Sequence, residues 1–297
     1  MNDSAGTWTV RRLLEWTSGF FSRKQVDSPR LSAELLLAHV LGVPRIRLYT
    51  DYERPVSEAH LSAYRELVRR AGEHEPIAYL TGRAHFFGLE LIVTPDVLIP
   101  RPDTETLVEN LLQWVRHEPE LTAPRVLDLC TGSGCIAVAV ASRLKTASVL
   151  ATDISPKACA VARQNVEKHA LQDRVIVEEG DLFEPLKSIV HAQPFHLITA
   201  NPPYIPHANI ETLDRNVRDY EPHLALDGGD DGLAVIRRIL ETAPRHLTPA
   251  GQLFMEMQFD QGDAIRQLVG QIDDWAPPKI IKDLAGKERV VQLQRKP

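Results

Sequence analysis

Cysteine is scarce in this sequence. There are three in 297 residues, Cys130, Cys135 and Cys159, an odd number with no C-x-x-C pair. That count argues against a disulfide framework or a thiolate zinc site, and a reducing cytoplasm is the expected compartment. The 11 histidines form no H-x-x-x-H or H-E-x-x-H pattern, so no metal site is expected. No apolar run approaches the length of a membrane span, and Met1-Asn2-Asp3-Ser4 does not open like a signal peptide. A basic field is also missing. Residues 1–100 carry twelve Lys/Arg against twelve Asp/Glu, and the remainder carries 22 against 28, which accounts for the whole net charge of −6. Stable nucleic-acid binding is therefore not expected. Internal repeats and low-complexity segments are absent.

What is present is the composition of a soluble globular chain, 43% hydrophobic and 25% charged, long enough for two domains. The first 77 residues read as a small helical domain. Thr9–Phe21 has helical spacing of apolar residues. Asp27-Ser28-Pro29 reads as a capped helix start, and that helix stops at Gly42 with Pro44 beyond. Ser57 opens a further helix to Gly72. Residues 78–100 read as a β-hairpin linker built on Phe86–Val93, and 101–297 as the second domain. There, Pro100-Arg101-Pro102-Asp103 is a stiff loop, followed by an amphipathic helix from Thr104 to about Val115. Arg101 and Glu105 flank this loop, either as part of a closing lid or as an ion pair bracing it.

Beyond Pro124 strand and helix alternate. Strands are expected at Arg125–Leu129, Ser148–Thr152, Arg174–Glu178, Phe195–Ala200 and Gln252–Met257. Helices are expected at Gly134–Leu144, Ser155–His169, Gly232–His246 and Gln261–Val269. The tail, Lys279–Asp283 and Arg289–Gln292, adds an antiparallel pair. This alternation predicts an α/β fold with a parallel, Rossmann-like sheet covered on both faces.

Chemistry gathers at the carboxyl ends of those strands, where open α/β sheets bind ligands. Cys130-Thr131-Gly132-Ser133-Gly134 is a glycine turn between a strand and a helix, suited to a pyrophosphate or to the carboxylate of a methionine moiety. Its spacing is not the G-x-G-x-x-G of nicotinamide enzymes. Asp153 closes the next strand, as a ribose acceptor or as a brace for the helix at Ser155-Pro156. Asp181 follows the third strand, as an acceptor for an adenine amine or as a loop cap, with Leu182 and Phe183 as apolar cover. Asn201-Pro202-Pro203-Tyr204 ends the fourth. It reads as a rigid turn whose carbonyls grip a planar NH2 beside a flat ring, or as an ordinary proline-rich loop. Cys135 reads as core.

These motifs resemble the class I S-adenosylmethionine-dependent methyltransferases, and among them the HemK/PrmC-type glutamine N5-methyltransferases of peptide chain release factors. The resemblance runs through Asp27–Gly42, Glu75–Gly82, Leu98–Glu105, the Asp128–Gly134 loop, Asn201–Ile205 and Asp283–Val290. It implies a class I methyltransferase domain with S-adenosyl-L-methionine as cofactor. Cys130–Gly134, Asp153, Leu182 and Asn201 would contact that cofactor, while Asn201, Pro202, Pro203 and Tyr204 take the substrate glutamine. The implied reaction is methylation of the amide nitrogen in the Gly-Gly-Gln motif of release factors by a cytoplasmic monomer. The Asn201 side-chain oxygen and the Pro202 carbonyl would accept the two amide hydrogens, with Tyr204 on the amide plane. Three departures stand out: Cys130 for the usual glycine, Leu182 where an aromatic residue often covers adenine, and Met255-Glu256-Met257-Gln258 for a more glycine-containing stretch. A sister family acts on a glutamine of a large-subunit ribosomal protein. It shares the cysteine variant but differs after Arg101, having Ser-Pro there. Amine methylation of nucleic acid is a further alternative, since the Asn-Pro-Pro-Tyr grip recurs in that class. A non-catalytic cofactor-binding module is another, but it would be expected to lose Asn201 or the glycine loop, and both are present.

Overall fold

The computed structural model describes residues 7–188 and 193–297. The start Met1-Asn2-Asp3-Ser4, read above for targeting, lies outside them. The chain forms two compact units. One runs up to Arg83 and includes Asp214–Tyr220; the other comprises Ala84–Leu213 and Glu221–Pro297.

The first unit holds α1 (Val10–Arg23), α2 (Pro29–Leu41), α3 (Arg47–Thr50), α4 (Glu58–Gly72) and α5 (Ile77–Thr81). Its core is aliphatic and aromatic, with Leu14, Phe21, Leu36, Leu37 and Tyr64 buried together. Thr9 caps α1 by accepting the Arg12 N–H at 3.3 Å. α2 starts on Pro29 and ends at Gly42, whose φ of 64° is the left-handed turn that releases the chain. Ser28 does not cap it, contrary to the reading of Asp27-Ser28-Pro29. Its own φ is 44°, its side chain makes no capping hydrogen bond, and Ser32 Oγ donates to the Asp27 carbonyl at 2.7 Å.

The second unit opens on a hairpin, β1 (Arg83–Phe86) and β2 (Leu89–Ile92), turned by Phe87 and Gly88 at φ 51° and 76°. Two successive positive φ values are the geometry that matches strand twist in a two-residue turn. Phe86 and Leu91 of this hairpin are buried in the second unit's own core, while α5 occupies the start of the 78–100 segment in the first unit.

The chain then runs through α6 (Pro102–Arg116), β3 (Arg125–Leu129), α7 (Cys135–Arg143), β4 (Ser148–Asp153), α8 (Pro156–Lys168), β5 (Val175–Glu179) and β6 (Phe195–Ala200). The short helix α9 (Arg215–Arg218) lies in the segment assigned to the first unit, where Tyr220 donates to the Glu73 carbonyl at 3.1 Å. After it come α10 (Ala234–Thr242), β7 (Leu247–Glu256), α11 (Gly262–Val269), β8 (Lys279–Lys282) and β9 (Glu288–Gln294). The sheet order is β5-β4-β3-β6-β7-β9-β8. The first five are parallel, and β9 runs antiparallel to both β7 and β8.

Both sheet faces are covered. α6, α7 and α8 bury one face, and the alternating alanines of α7 (Ala137, Ala139, Ala141) let that helix lie close. α10 and α11 bury the other. Two elements differ from expectation. α10 ends at Thr242 because Pro244 cannot continue it, and Ala243–His246 tightens into a 3-10 turn. β7 starts at Leu247, five residues before the expected Gln252, and a register shift opposite Phe195 and Leu197 absorbs the proline and glycine between.

Candidate functional site

Register sets the geometry of the rim. Leu129 of β3 pairs with Thr152 of β4 and Ala200 of β6, and Ala200 pairs with Met255 of β7. Cys130, Asp153, Asn201 and Glu256 are therefore the next residues, or the last, on four adjacent strands.

The loop after β3 is shaped from below by Asp128, which is fully buried. Thr131 Oγ1 donates to its Oδ2 at 2.6 Å and Thr199 Oγ1 of β6 donates to Oδ1 at 2.7 Å. The Ala137 N–H, in the first turn of α7, also turns to this carboxylate. Burial outweighs these donors and pushes the Asp128 carboxyl up to about 6. Cys130, Gly132 and Gly134 all have positive φ, 54°, 55° and 78°. Gly134 additionally packs against α8, where an added Cβ would lie 3.2 Å from that of Ala162. Cys130 thus holds a conformation normally left to glycine.

Asp153 joins this loop to the next. Gly132 donates its N–H to Oδ2 at 2.8 Å and Ser155 donates to Oδ1 at 2.9 Å. Burial raises its carboxyl above the ordinary range, and the two N–H groups oppose that rise. The brace at the start of α8 is present, and each oxygen keeps a lone pair for a further donor. Asp181 accepts Arg238 Nη2 of α10 at 2.6 Å, a pairing the sequence did not suggest. Leu182 stands at φ 52°, its carbonyl accepting from Thr152 Oγ1 at 3.0 Å. Phe183 is not apolar cover: it stacks on His246 at 4.8 Å within the core below α10.

These residues line one cleft of about 260 Å³. Cys130, Thr131, Gly132, Ser133, Asp153, Asp181, Leu182, Asn201 and Pro203 face it; Gly134, Pro202 and Tyr204 do not. Val97, Leu98, Ile154, Leu224 and Val235 add apolar walls that had not been foreseen. Ser133 Oγ is buried there with no hydrogen-bond partner beyond the weak thiol of Cys135. Burial pushes both the Cys130 and the Cys135 thiols up, the latter to about 12, so neither is a thiolate nucleophile.

Behind Asn201 lies a buried polar group. Glu256, 1% exposed, accepts Thr104 Oγ1 at 2.6 Å on one oxygen and the Tyr204 hydroxyl at 3.0 Å on the other. Asn201 Nδ2 donates to Thr104 Oγ1 at 3.4 Å. Burial raises the Glu256 carboxyl and, with Glu256 beside it, the Tyr204 phenol. Gln261 Nε2 donates to the Tyr204 carbonyl at 2.9 Å. Sequence reasoning missed Glu256. The available signal was an acidic residue closing the apolar run Leu253-Phe254-Met255.

Arg101 and Glu105 do not pair with each other. Arg101 Nη2 meets the buried Glu221 at 2.5 Å, and Glu221 also accepts the Ile99 N–H at 3.2 Å. Glu105 accepts the Phe87 N–H at 2.7 Å and so braces the hairpin turn. Among the described residues no three His, Cys, Asp or Glu side chains are grouped to hold a metal ion, and no helix is long and apolar enough to cross a membrane.

Residues 12–82 match the PrmC N-terminal domain family and residues 102–229 the methyltransferase small domain. A release factor glutamine methyltransferase of Geobacter sulfurreducens is 44% identical over 265 residues, covering 89% of each chain. One from Rhodopirellula baltica is 42% identical over 289 residues, covering 97% of each. The solved hMettl16 catalytic domain, in complex with MAT2A 3'UTR hairpin 6, aligns with a TM-score of 0.54 over 71% of this chain and 76% of that one. At 20% identity that likeness is one of fold, the class I methyltransferase sheet. The chain belongs to the release factor glutamine methyltransferase family.

Proposed function

We propose that this protein transfers a methyl group from S-adenosyl-L-methionine to the side-chain amide nitrogen of the glutamine in the Gly-Gly-Gln motif of peptide chain release factors. One observation carries the reading: Asn201 shares a single cleft with Gly132, Asp153 and Asp181. An amide-gripping side chain and a nucleoside-sized lining are thereby side by side. The partner is drawn from the relatives, named as release factor glutamine methyltransferases at 38–44% identity.

The residues present fit the cofactor. Asp153 has lone pairs for two ribose hydroxyls, Ser133 Oγ is a buried hydroxyl lacking a strong partner, and Gly132 presents no side chain to the cleft. Ile154 and Leu182 are apolar walls for a purine ring. When bound, S-adenosyl-L-methionine supplies an electrophilic methyl group. The protein's part is positioning. A carboxamide nitrogen is a weak nucleophile because its lone pair is delocalised into the carbonyl. Asn201 Oδ1, on the cleft lining, accepts one of its hydrogens. The Pro202 carbonyl, from a residue that does not itself line the cleft, is the expected second acceptor, and the two hold the amide in one pose and oppose that delocalisation. Positioning of this kind is worth several kcal/mol, up to about 7–11 in ideal cases. The same acceptors stabilise positive charge as it develops on nitrogen. No base is needed beforehand, since the alkylated nitrogen becomes acidic and sheds its proton to solvent.

The test is mass spectrometry of a release factor, a large-subunit ribosomal protein and a single-stranded oligonucleotide, each incubated with enzyme and S-adenosyl-L-methionine. A 14 Da gain on the Gly-Gly-Gln peptide alone supports the reading. A gain only on one of the other two acceptors replaces it.

A further inference from the structure

We propose that Glu256, acting through Thr104, is a positioning residue that fixes which end of the Asn201 amide faces the substrate; this rests on the function proposed above. Glu256 ends β7 with both carboxylate oxygens engaged, one by Thr104 Oγ1 at 2.6 Å and one by the Tyr204 hydroxyl at 3.0 Å. As the ionised carboxylate, the form that its two hydroxyl donors and the nearby Arg289 favour against burial, Glu256 only accepts, so each hydroxyl spends its one hydrogen on it. Thr104 Oγ1 can then only accept, and the atom 3.4 Å from it on Asn201 must be the amino nitrogen. That leaves Oδ1 as the end of the amide available to a donor in the cleft, which Thr104 and Asn201 both line.

Orientation of an Asn side chain is otherwise a near-degenerate choice between two flips. Here the wrong flip would set Oδ1 against a hydroxyl oxygen with no hydrogen to give. It would also present an NH2 to the substrate's own NH2, donor against donor. The carboxylate thus selects the productive flip without touching the substrate. Glu256 and Thr104 come from the end of β7 and the first turn of α6, both in the second unit, and packing holds both in place.

Glu256→Gln preserves shape and changes the proton count. With its NH2 turned to Thr104 Oγ1, that hydroxyl's hydrogen is released toward Asn201 Oδ1, favouring the wrong flip. Expected results are a 10- to 100-fold lower kcat on the Gly-Gly-Gln peptide, with the Kd for S-adenosyl-L-methionine within threefold of wild type. Thr104→Val should behave likewise, and Thr104→Ser should recover kcat to within threefold. A kcat within threefold of wild type in both Glu256→Gln and Thr104→Val overturns the proposal. So does a loss that lies entirely in cofactor Kd.

A second measurement needs no methyl acceptor. In NMR of the selectively labelled protein, the Asn201 side-chain NH2 should show a nuclear Overhauser contact to Thr104 in wild type and lose it in Glu256→Gln. Absence of that contact in wild type also overturns the relay. If the contact is seen while no glutamine is methylated, the relay stands and the acceptor assignment falls.

Discussion

Gly132 and Asp153 are joined by a hydrogen bond of 2.8 Å, from the glycine N–H to Oδ2, and it ties the loop after β3 to the end of β4. One carboxylate therefore shapes the glycine loop and also presents acceptors to the cleft. Asp153→Ala removes both roles. Hydrogen bonds to a charged group are worth about 1.5–3 kcal/mol each, roughly 10- to 100-fold in affinity. Titration calorimetry with S-adenosyl-L-methionine should show a Kd raised by at least about tenfold. An unchanged Kd would remove Asp153 from the cofactor site.

Asp128 predicts how stability responds to pH. Its carboxyl is raised from 3.8 to about 6 in the fold, so between those values the folded chain holds a proton that the unfolded chain has released. Stability from this group is full below 3.8 and is lost as pH rises through about 6. At about 1.36 kcal/mol per pKa unit the loss is on the order of 3 kcal/mol. Asp128→Asn should remove that downward contribution, and urea melts at intervals between pH 4 and 7 would reveal it. A variant whose pH profile parallels the wild type would contradict the assignment.

Arg101 carries half of a partly buried ion pair, its side chain 31% exposed and that of Glu221 fully buried. Arg101→Met strands the Glu221 carboxylate. Breaking a buried pair costs about 3–5 kcal/mol, and the exposure of the arginine lowers that to roughly 1–3. Glu221→Gln with Arg101→Met should recover part of the loss in a double-mutant cycle. Additive losses would mean the two side chains do not depend on each other.

Cys130 can be tested by shape. Its φ of 54° costs an L-residue about 1–2 kcal/mol, and most in a β-branched one. Cys130→Val should lower the melting temperature by several degrees. Cys130→Gly should match or slightly exceed wild type, since relief of strain is offset by about 0.4–1 kcal/mol of unfolded-chain entropy. A Val variant as stable as the Gly variant would show that the loop relaxes freely.

Gly232 sits at φ 72°, and a Cβ there would run into the Tyr204 carbonyl and lie 2.9 Å from Gln261 Nε2. Gly232→Ala must therefore displace the carbonyl that Gln261 holds. Strain and overpacking together predict a loss of about 2–4 kcal/mol, read by urea denaturation, with a fall in kcat larger than any change in cofactor Kd. Full activity in this variant would mean that the Tyr204 carbonyl need not be held still.

The sequence was most legible where local rules act alone. The apolar runs of β3 and β6 and the Ser155-Pro156 start of α8 are realised at the residues expected, because pattern and cap chemistry agree there. Legibility failed where distant chain supplies the reason. Pro249 and Gly251 precede the expected strand start at Gln252, yet β7 runs through them because the opposing pairing slips. Residues 205–231 carry no period. They are fixed by backbone bonds such as Gly228 N–H to the Ile205 carbonyl and His207 N–H to that of Gly229, each 2.9 Å. Glu256 stood out only as part of the Met255-Glu256-Met257-Gln258 departure. Its meaning comes from Thr104, 152 positions away, and Tyr204, 52 positions away.

Placing β6 between β3 and β7 carries a consequence for synthesis and quality control. By the time Tyr204 leaves the ribosome the nascent chain already holds every recognisable motif of the cleft. Its fourth strand still has an unpaired edge, and the carboxylate behind Asn201 does not yet exist. Only addition of β7 closes that edge and brings Glu256 to Thr104. Methyl transfer is in that sense a receipt for a finished sheet, and a chain cut short after the Asn-Pro-Pro-Tyr turn would keep the signature of the enzyme without its competence.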